Sequence, residues 1–293
     1  MKLAAIDIGS NAARLLITEV IESKGKSPHF NKLNLFRVPI RLGFDVFDSK
    51  NISPEKTEML IQTLKSFRHL INAYKITKIK ACATSAMRDA ENAQKILSIV
   101  KKETGLDIEV ISGEMEALIV YENHIAEYLD KDHSYMYIDV GGGSTEISVF
   151  GNGQLTFNKS FNIGTIRLLK NKIDDKDWDQ MKEEIKIATK GHKEIVGIGS
   201  GGNINKVFSM SKKKDGKSLH IDLLRDYYKE LNSFTVEERI INYNLREDRA
   251  DVIVPALQIY INAMRWAGCE EIYVPKIGLA DGLIHHLWEE INK

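Results

Sequence analysis

The sequence predicts an α/β fold made of two lobes with related topology. Its 293 residues, 43% of them hydrophobic and only five of them proline, suffice for two medium-sized domains. Strand-like apolar runs alternate with amphipathic helical stretches along the chain. The pentapeptide IDIGS at 6–10 recurs as IDVGG at 138–142, and a tight turn and a second apolar strand follow each copy. Sequence and element order therefore both indicate an internal duplication.

The first lobe is predicted to span 1–125, together with the last helix of the chain at 279–293. It begins with three strand-like runs and then alternates helix and strand, in the order β-β-β-α-β-α-β-α. The strand-like runs are 2–8, 14–20, 31–40, 78–83 and 107–111, and the helical stretches are 54–74, 91–104 and 114–129.

The second lobe, 126–278, begins in the same way and carries additional helices. A polar, cationic loop at 211–217 precedes these helices and shows no periodicity. The predicted strands are 134–140, 145–150, 154–161, 194–198 and 271–274, and the helical stretches are 178–190, 219–231, 236–241 and 249–267. The helical pattern of the last helix of the chain, which belongs to the first lobe, covers 279–290.

Composition excludes several classes of protein. The 41 basic residues balance the 41 acidic ones, so we expect no nucleic-acid partner and no membrane partner, and a polyanionic ligand needs a local cluster of cations. No stretch approaches the roughly 18 apolar residues that span a membrane, and the early Asp7 argues against a signal peptide. Cys82 and Cys269 are far apart and lack metal-binding spacing. We therefore expect a cytoplasmic protein with reduced, buried thiols.

The segment DVGGGSTE at 139–146 is the strongest local signal for function. Three successive glycines weaken a hairpin, but they let backbone amides approach one phosphate because no Cβ atoms stand in the way. Flanking carboxylates are the hard oxygen ligands that Mg²⁺ needs when it binds through few protein groups. A flexible glycine hairpin is the alternative interpretation. The candidate phosphate ligands are Gly141, Gly142, Gly143, Ser144 and Thr145, and the candidate metal ligands are Asp139 and Glu146.

The segment DIGSN is the matching turn in the first lobe. Gly9 allows the tight turn, and Ser10 and Asn11 can offer hydroxyl, amide and backbone donors to a second phosphate. Arg14 follows as a third candidate phosphate ligand, and Asp7 is the counterpart of Asp139 as a metal ligand. An ordinary Asx-stabilised hairpin is the alternative. Because ligands of mixed α/β sheets lie at the carboxyl ends of strands, we expect the active site in the cleft between the lobes.

Two strand-to-helix junctions add side chains with catalytic chemistry. Arg88 lies in a predicted loop after the strand at 78–83, where a guanidinium can grip phosphate with two parallel hydrogen bonds. The alternative is a surface ion pair of Arg88 with Asp89 or Glu91. Glu114 and Glu116 follow the strand at 107–111, and one of them can serve as the general base for a water molecule, since helix geometry lets at most one face the phosphate. Alternatively, both merely complement the helix dipole.

Five segments together resemble the exopolyphosphatase and guanosine pentaphosphate phosphohydrolase family, a branch of the actin-like ATPase superfamily with paired ribonuclease-H-like lobes. The resemblance spans nearly the whole chain and keeps the order and spacing of the motifs. The segments are DIGSNAARLLI (7–17), ATSAMRDA (83–90), ISGEMEA (111–117), DVGGGSTEISV (139–149) and RADVIVPA (249–256).

The resemblance implies a role for each matching residue. The two glycine turns bind phosphates, Arg88 contacts the terminal phosphate, and Glu116 is the catalytic base. Glu146 is the third candidate catalytic residue, on the separate ground that it flanks the glycine turn beside the expected magnesium ion. Departures from the family pattern occur at Met115, at Ala12 and Ala13, and in the segment 278–282. A homodimer through the inserted helices is compatible with the resemblance.

The expected function is hydrolysis of the terminal phosphoanhydride bond of inorganic polyphosphate or guanosine pentaphosphate, with Mg²⁺ as cofactor. An actin-like small-molecule kinase is a second interpretation, but it needs an aspartate base and an acceptor pocket that no segment clearly supplies. A non-catalytic sensor of polyphosphate or nucleotide is a third. A sensor does not explain why Glu116, Arg88 and Glu146 occur together, because binding alone does not require this combination.

Overall fold

A computed structural model describes residues 1–22, 25, 27–122, 133–192 and 194–292. The chain forms two compact units. The first comprises Met1–Asn123 and Leu279–Lys293, and the second comprises His124–Gly278. Each unit contains one mixed β-sheet flanked by helices, which confirms the predicted α/β class.

The first unit contains five strands and six helices among its described residues. The strands are β1 (Lys2–Ile8), β2 (Ala13–Ile21), β3 (His29–Val38), β4 (Ile79–Ala83) and β5 (Glu109–Val110). The helices are α1 (Gly43–Ser49), α2 (Pro54–Ala73), α3 (Ser85–Asp89), α4 (Ala93–Thr104), α5 (Gly113–Glu122) and, from the end of the chain, α13 (Leu279–Asn292).

The sheet of the first unit has the strand order β3-β2-β1-β4-β5. Antiparallel pairs join β1 to β2 and β2 to β3, whereas β4 and β5 extend the sheet in parallel. The central strand β1 is buried from Leu3 onward, which explains its nearly continuous apolar run. The carboxyl ends of β1, β4 and β5 consequently meet at one edge of the sheet.

The second unit contains six strands and seven helices among its described residues. The strands are β6 (Ser134–Val140), β7 (Thr145–Gly151), β8 (Gln154–Phe161), β9 (Ile195–Ser200), β10 (Leu219–His220) and β11 (Glu271–Tyr273). The helices are α6 (Thr165–Leu169), α7 (Asp175–Thr189), α8 (Gly202–Met210), α9 (Ile221–Asn232), α10 (Val236–Tyr243), α11 (Glu247–Ala250) and α12 (Ile253–Ala267).

The second sheet repeats the first, with the order β10-β11-β9-β6-β7-β8. The antiparallel meander β6-β7-β8 corresponds to β1-β2-β3, and the parallel strands β9 and β11 correspond to β4 and β5. Helix α12 carries ten buried residues into the core of this unit. The internal repeat inferred from the sequence is thus also a repeat of topology.

Some local predictions were wrong. Leu219 begins a two-residue strand paired with β11, and α9 starts only at Ile221, because backbone pairing with the sheet overrides the helical pattern there. Arg88 lies in the short helix α3 and not in a loop. The helix predicted at 114–129 is described as far as Glu122, and 123–129 lie outside the described residues.

Two findings bear on the expected environment of the chain. Within the described ranges, no helix is both long enough and apolar enough to cross a membrane. Cys82 and Cys269 are both free and buried. Burial raises the pKa of both thiols, to about 12 for Cys269, so the thiols stay protonated near neutral pH.

Candidate active site

The glycine turn between β6 and β7 is closed by one hydrogen bond, from the amide of Gly141 to the carbonyl oxygen of Ser144 (2.9 Å). The segment that leads into α6 packs beneath it. Thr165 donates its backbone N–H to the carbonyl oxygen of Gly141 (3.0 Å), and Ile166 donates to that of Gly142 (2.8 Å). The first two carbonyl groups of the turn therefore face α6.

A side chain holds the third carbonyl group of the turn. Arg167, on α6, donates from Nε to the carbonyl oxygen of Gly143 at 2.6 Å. Gly164 lies so close that a Cβ atom there would stand 2.5 Å from the carbonyl oxygen of Gly142. Thr145 donates its hydroxyl to the carbonyl oxygen of Ile163 (2.5 Å), so it braces the turn. Thr145 is one of the phosphate ligands predicted from the sequence, but in the structure its hydroxyl hydrogen is donated to a carbonyl group of the protein.

The amide groups of the turn point the other way. In a planar trans peptide the C=O and N–H bonds are opposed, so carbonyls that face α6 direct the following N–H groups away from it. The amides of Gly142, Gly143 and Ser144 make no hydrogen bond within the described part of the chain. Successive backbone N–H groups that lack an internal partner are the kind of donor that binds anions in proteins.

Asp139 and Glu146 lie directly opposite each other on β6 and β7. Glu146 is 1% exposed and accepts a hydrogen bond from the hydroxyl of Ser160 (2.8 Å). Asp139 accepts one from the hydroxyl of Tyr137 (3.3 Å). Like charges in directly opposed positions destabilise a sheet, and a bound cation relieves that repulsion. The pair lies at the strand ends that flank the glycine turn.

Two buried tyrosines lie beside these carboxylates. Burial, and then the charge of Asp139, raise the pKa of both Tyr137 and Tyr260 well above the usual value. The Tyr260 hydroxyl contacts the carbonyl oxygen of Ser200, and Ser200 is the parallel-strand neighbour of Asp139. Both phenols consequently remain neutral hydrogen-bond donors at physiological pH.

The turn between β1 and β2 has the same construction as the turn between β6 and β7. The amide of Gly9 donates to the carbonyl oxygen of Ala12 (3.0 Å), and both positions lie 132 residues before their counterparts, Gly141 and Ser144. The carbonyl oxygens of Ser10 and Asn11 accept from the backbone amides of Gly43 and Arg41, each at 2.9 Å. The N–H groups that follow these carbonyls point away from residues 41–43.

Sequence reasoning missed two residues that fix this turn. The hydroxyls of Ser10 and Ser85 share a hydrogen bond of 2.7 Å, and both side chains are buried. Arg41 adopts a left-handed backbone conformation (φ 59°), which is uncommon for a residue with a Cβ atom. The serine at the start of α3 had no distinguishing pattern, but an arginine flanked by apolar residues directly after β3 was a detectable signal.

Asp7 and Arg14 form an ion pair of 2.5 Å between neighbouring positions of β1 and β2. Asp7 is buried, whereas one third of the Arg14 side chain is exposed. The structure thus brings together a predicted metal ligand and a predicted phosphate ligand. The charge of Asp7 is therefore balanced by Arg14.

Arg88 contacts the start of α5. Its Nη1 donates to the carbonyl oxygen of Ile111 at 2.9 Å, one residue before Ser112. Within the described residues Arg88 forms no ion pair, so the alternative of a surface pair with Asp89 or Glu91 is wrong. The guanidinium lies beside the carboxyl end of β5.

Glu116 and Glu114 lie in the first turn of α5. The hydroxyl of Ser112 accepts from the amide of Met115 (3.1 Å) and so caps the start of the helix. Glu114 is exposed, whereas Glu116 is partly buried. The charges of Asp7 and Glu116 both raise the pKa of the buried Cys82 thiol, after burial itself. Asp7 is also the parallel-strand neighbour of Cys82 on β4.

Comparison with known proteins identifies the family. A model of the Ppx/GppA phosphatase family matches residues 20–290. The chain is 31% identical to the bifunctional 3-dehydroquinate synthase/phosphatase of Fusobacterium nucleatum, over 92% of the chain but only 44% of that longer protein. It is 24% identical to exopolyphosphatase 1 of Mycobacterium tuberculosis, over 97% of the chain and 87% of that enzyme.

Solved structures show the same fold. A Ppx/GppA family member from Aquifex aeolicus is 26% identical, with a TM-score of 0.79 over 100% of this chain and 99% of its own. An exopolyphosphatase from Cytophaga hutchinsonii superposes with a TM-score of 0.83 over 99% and 98% of the two chains, at 24% identity.

The duplicated sheet and its paired glycine turns define a protein of the actin-like fold class. Within that class, the chain belongs to the Ppx/GppA phosphatase family.

Proposed function

We propose that this chain hydrolyses the terminal phosphoanhydride bond of inorganic polyphosphate and releases orthophosphate. The observation that carries the proposal is the turn of Gly142, Gly143 and Ser144, whose three amides face away from α6 with no hydrogen-bond partner among the described residues. Backbone donors fixed in place before the substrate arrives stabilise developing negative charge on a phosphoryl group. The names of the mycobacterial and Cytophaga relatives favour polyphosphate as the substrate.

The carboxylates of the second unit fit a magnesium ion. Magnesium is usually held by one or two carboxylates, with water and substrate phosphate completing its shell. Asp139 and Glu146 are such a pair, and the described residues contain no larger group of metal-binding side chains. When bound, the ion would neutralise charge on the phosphates. Asp7 is the weaker candidate, because Arg14 already balances its charge.

The first unit supplies the groups that act on water and on the transferred phosphoryl group. Glu116 is the proposed general base, which holds and accepts a proton of the attacking water at its carboxylate. Arg88 binds oxygens of the terminal phosphate with the guanidinium edge that does not face Ile111. Ser10, Asn11 and Arg14 contribute further donors at the first turn, and Ser85 fixes the hydroxyl of Ser10.

Guanosine pentaphosphate is the second candidate substrate. It ends in the same kind of bond, and the family whose model matches this chain takes part of its name from such an activity. The same base and phosphate ligands would serve both substrates, so we infer one site with two chemically related substrates.

Release of orthophosphate from defined substrates tests the proposal. The purified chain is incubated with polyphosphates of defined length, guanosine pentaphosphate and ATP, with and without a sugar or acid acceptor, in Mg²⁺ and in excess chelator. We expect acceptor-independent release from polyphosphate that the chelator abolishes. Conversion of ATP to ADP with formation of a phosphorylated acceptor and no orthophosphate would instead establish a kinase, and binding of every substrate without turnover would establish a sensor.

A further inference from the structure

We propose that Arg167 is a positioning residue that sets the direction of the phosphate-binding amide of Ser144. The inference rests on the proposed function, since it assigns how the second glycine turn holds its phosphate. It concerns a residue that lies 24 positions after the carbonyl group it contacts.

The first step of the argument is the division of the turn into two sides. The carbonyl oxygens of Gly141 and Gly142 are bound by backbone amides of residues 165 and 166. These bonds depend on the path of the main chain and persist with many side chains. The carbonyl oxygen of Gly143 has a side-chain donor, Nε of Arg167 at 2.6 Å.

The second step is the planarity of the peptide that joins Gly143 to Ser144. Its N–H group must point opposite to its carbonyl oxygen. Glycine tolerates nearly every backbone angle, so the turn sequence by itself leaves this peptide free to rotate. The bond from Arg167 fixes the carbonyl oxygen toward α6, and the amide of Ser144 is thereby fixed toward the other side.

The third step is the environment of the guanidinium. Arg167 is 9% exposed, and a buried cation is costly unless it is paired or hydrogen-bonded. A short bond from a charged donor is stronger and more directional than one between neutral groups. Planar Nε geometry supplies that direction, which the rotating ammonium of lysine does not reproduce.

Gly164 provides independent evidence that the glycine turn packs tightly against the start of α6. A methyl group at this position would stand 2.5 Å from both the carbonyl oxygen of Gly142 and the carbonyl carbon of Gly143. The backbone of Gly164 is extended (φ −141°), a conformation that alanine also adopts. Alanine at this position would therefore clash with the glycine turn without straining its own backbone. Gly164→Ala therefore displaces the turn while Arg167 stays in the chain.

The test measures binding of imidodiphosphate, whose bridging nitrogen resists hydrolysis, by calorimetry in the presence of Mg²⁺. The variants are Arg167→Lys, which keeps the charge, Arg167→Gln, which removes it, and Gly164→Ala. Lys176→Gln is the control, since it removes an exposed positive charge from the same unit. Thermal melts of the unliganded proteins establish that each variant is folded.

We expect Arg167→Lys, Arg167→Gln and Gly164→Ala each to weaken binding about 10- to 100-fold, the range for loss of a hydrogen bond to a charged group. With polyphosphate, the two Arg167 variants should raise KM more than they lower kcat, and Lys176→Gln should match the wild type.

Wild-type affinity in Arg167→Lys would overturn the inference, because it would show that charge alone suffices. A wild-type protein that does not bind imidodiphosphate would overturn both the inference and the proposed function. Variants that melt earlier but bind normally would assign Arg167 a purely structural role and refute its positioning of the amide.

Discussion

Glu116 and Glu114 show how two residues of one type differ within a single helical turn. They are two positions apart on α5, so their side chains diverge, and only Glu116 is partly buried. Glu116 also lies close enough to Cys82 to raise the pKa of its thiol. This difference in environment favours Glu116 as the base.

Glu116→Gln is expected to lower kcat by about 10²- to 10⁴-fold and to leave substrate binding nearly unchanged, because the amide keeps the size but accepts no proton from water. Phosphate release and substrate affinity are measured on protein shown to be folded. Glu114→Gln is the matched control and should retain most activity. If Glu116 acts only on the helix dipole, its variant will lose about 0.3 to 1 kcal/mol of stability and turn over normally.

Arg88→Ala is expected to raise KM for polyphosphate about 10- to 100-fold, because charge-assisted hydrogen bonds to the terminal phosphate are lost. Removal of the bond to the Ile111 carbonyl oxygen should also cost about 1 kcal/mol of stability. Steady-state kinetics and urea unfolding separate the two effects. Arg88→Lys should recover charge but not the two-point grip, and unchanged kinetics in both variants would contradict a phosphate contact.

The candidates that could be found from the sequence alone are residues with suitable chemistry that closely follow a predicted strand. The glycine turns, Arg88 and Glu116 follow strands directly, where functional side chains collect. Ser85 and Arg167 could not be found in this way. Their partners lie 75 and 24 positions away, and a distance of that kind leaves no periodic or local trace.

At the scale of elements, the position of α5 depends on α13. Gly282 of α13 faces the carbonyl group of Ile119 so closely that a Cβ atom would lie well inside van der Waals contact. The backbones of the two helices are in direct contact at this point, and α5 carries Glu116. Glycine at position 282 therefore has a packing reason.

Gly282→Ala is expected to lower stability by about 1 to 3 kcal/mol through overpacking, even though alanine favours an isolated helix by about 0.5 to 1 kcal/mol. Displacement of α5 should lower kcat as well. Thermal melts and phosphate release measure the two effects. Gly278→Ala is the control, because a Cβ atom at 278 meets nothing within 4 Å, and equal behaviour of the two variants would refute the packing argument.

The element boundaries show where sequence patterns suffice. The sequence predicts β1, β6 and β8 with their observed limits, since strand-like runs bounded by turns are strong signals. The short elements were not predicted from the sequence. Helices α1, α3 and α6 have five to seven residues, too few for a helical period to emerge, and β10 exists only because β11 pairs with it.

At the scale of the whole molecule, buried acidic groups link stability to pH. The pKa of Cys269 rises from 9.0 to about 12 on folding, mainly through burial. Burial also raises the pKa of Cys82, Tyr137 and Tyr260. Above about pH 9 the unfolded chain releases these protons while the folded protein retains them, so the unfolded state gains stability as pH rises.

The free energy of unfolding is therefore expected to fall between pH 9 and pH 12, with a slope of up to about 1.4 kcal/mol per pH unit for each such group. Urea denaturation at a series of pH values measures it. Cys269→Ala should reduce the slope over this range, whatever its effect on stability at pH 7. A slope identical to that of the wild type would contradict a shifted thiol.

Because the two turns are equivalent, one structural position occurs twice in the same chain, and the charges at its two copies can be compared. Arg14 and Glu146 occupy corresponding places opposite an aspartate, and their signs are opposite. Divergence after a duplication has thus placed a cation opposite the aspartate in one copy and a second carboxylate opposite it in the other. Arg14→Glu should undo that divergence. We expect it to give the first unit a new affinity for Mn²⁺, which electron paramagnetic resonance titration would count as one additional bound ion, and an unchanged count would show that opposed carboxylates alone do not suffice.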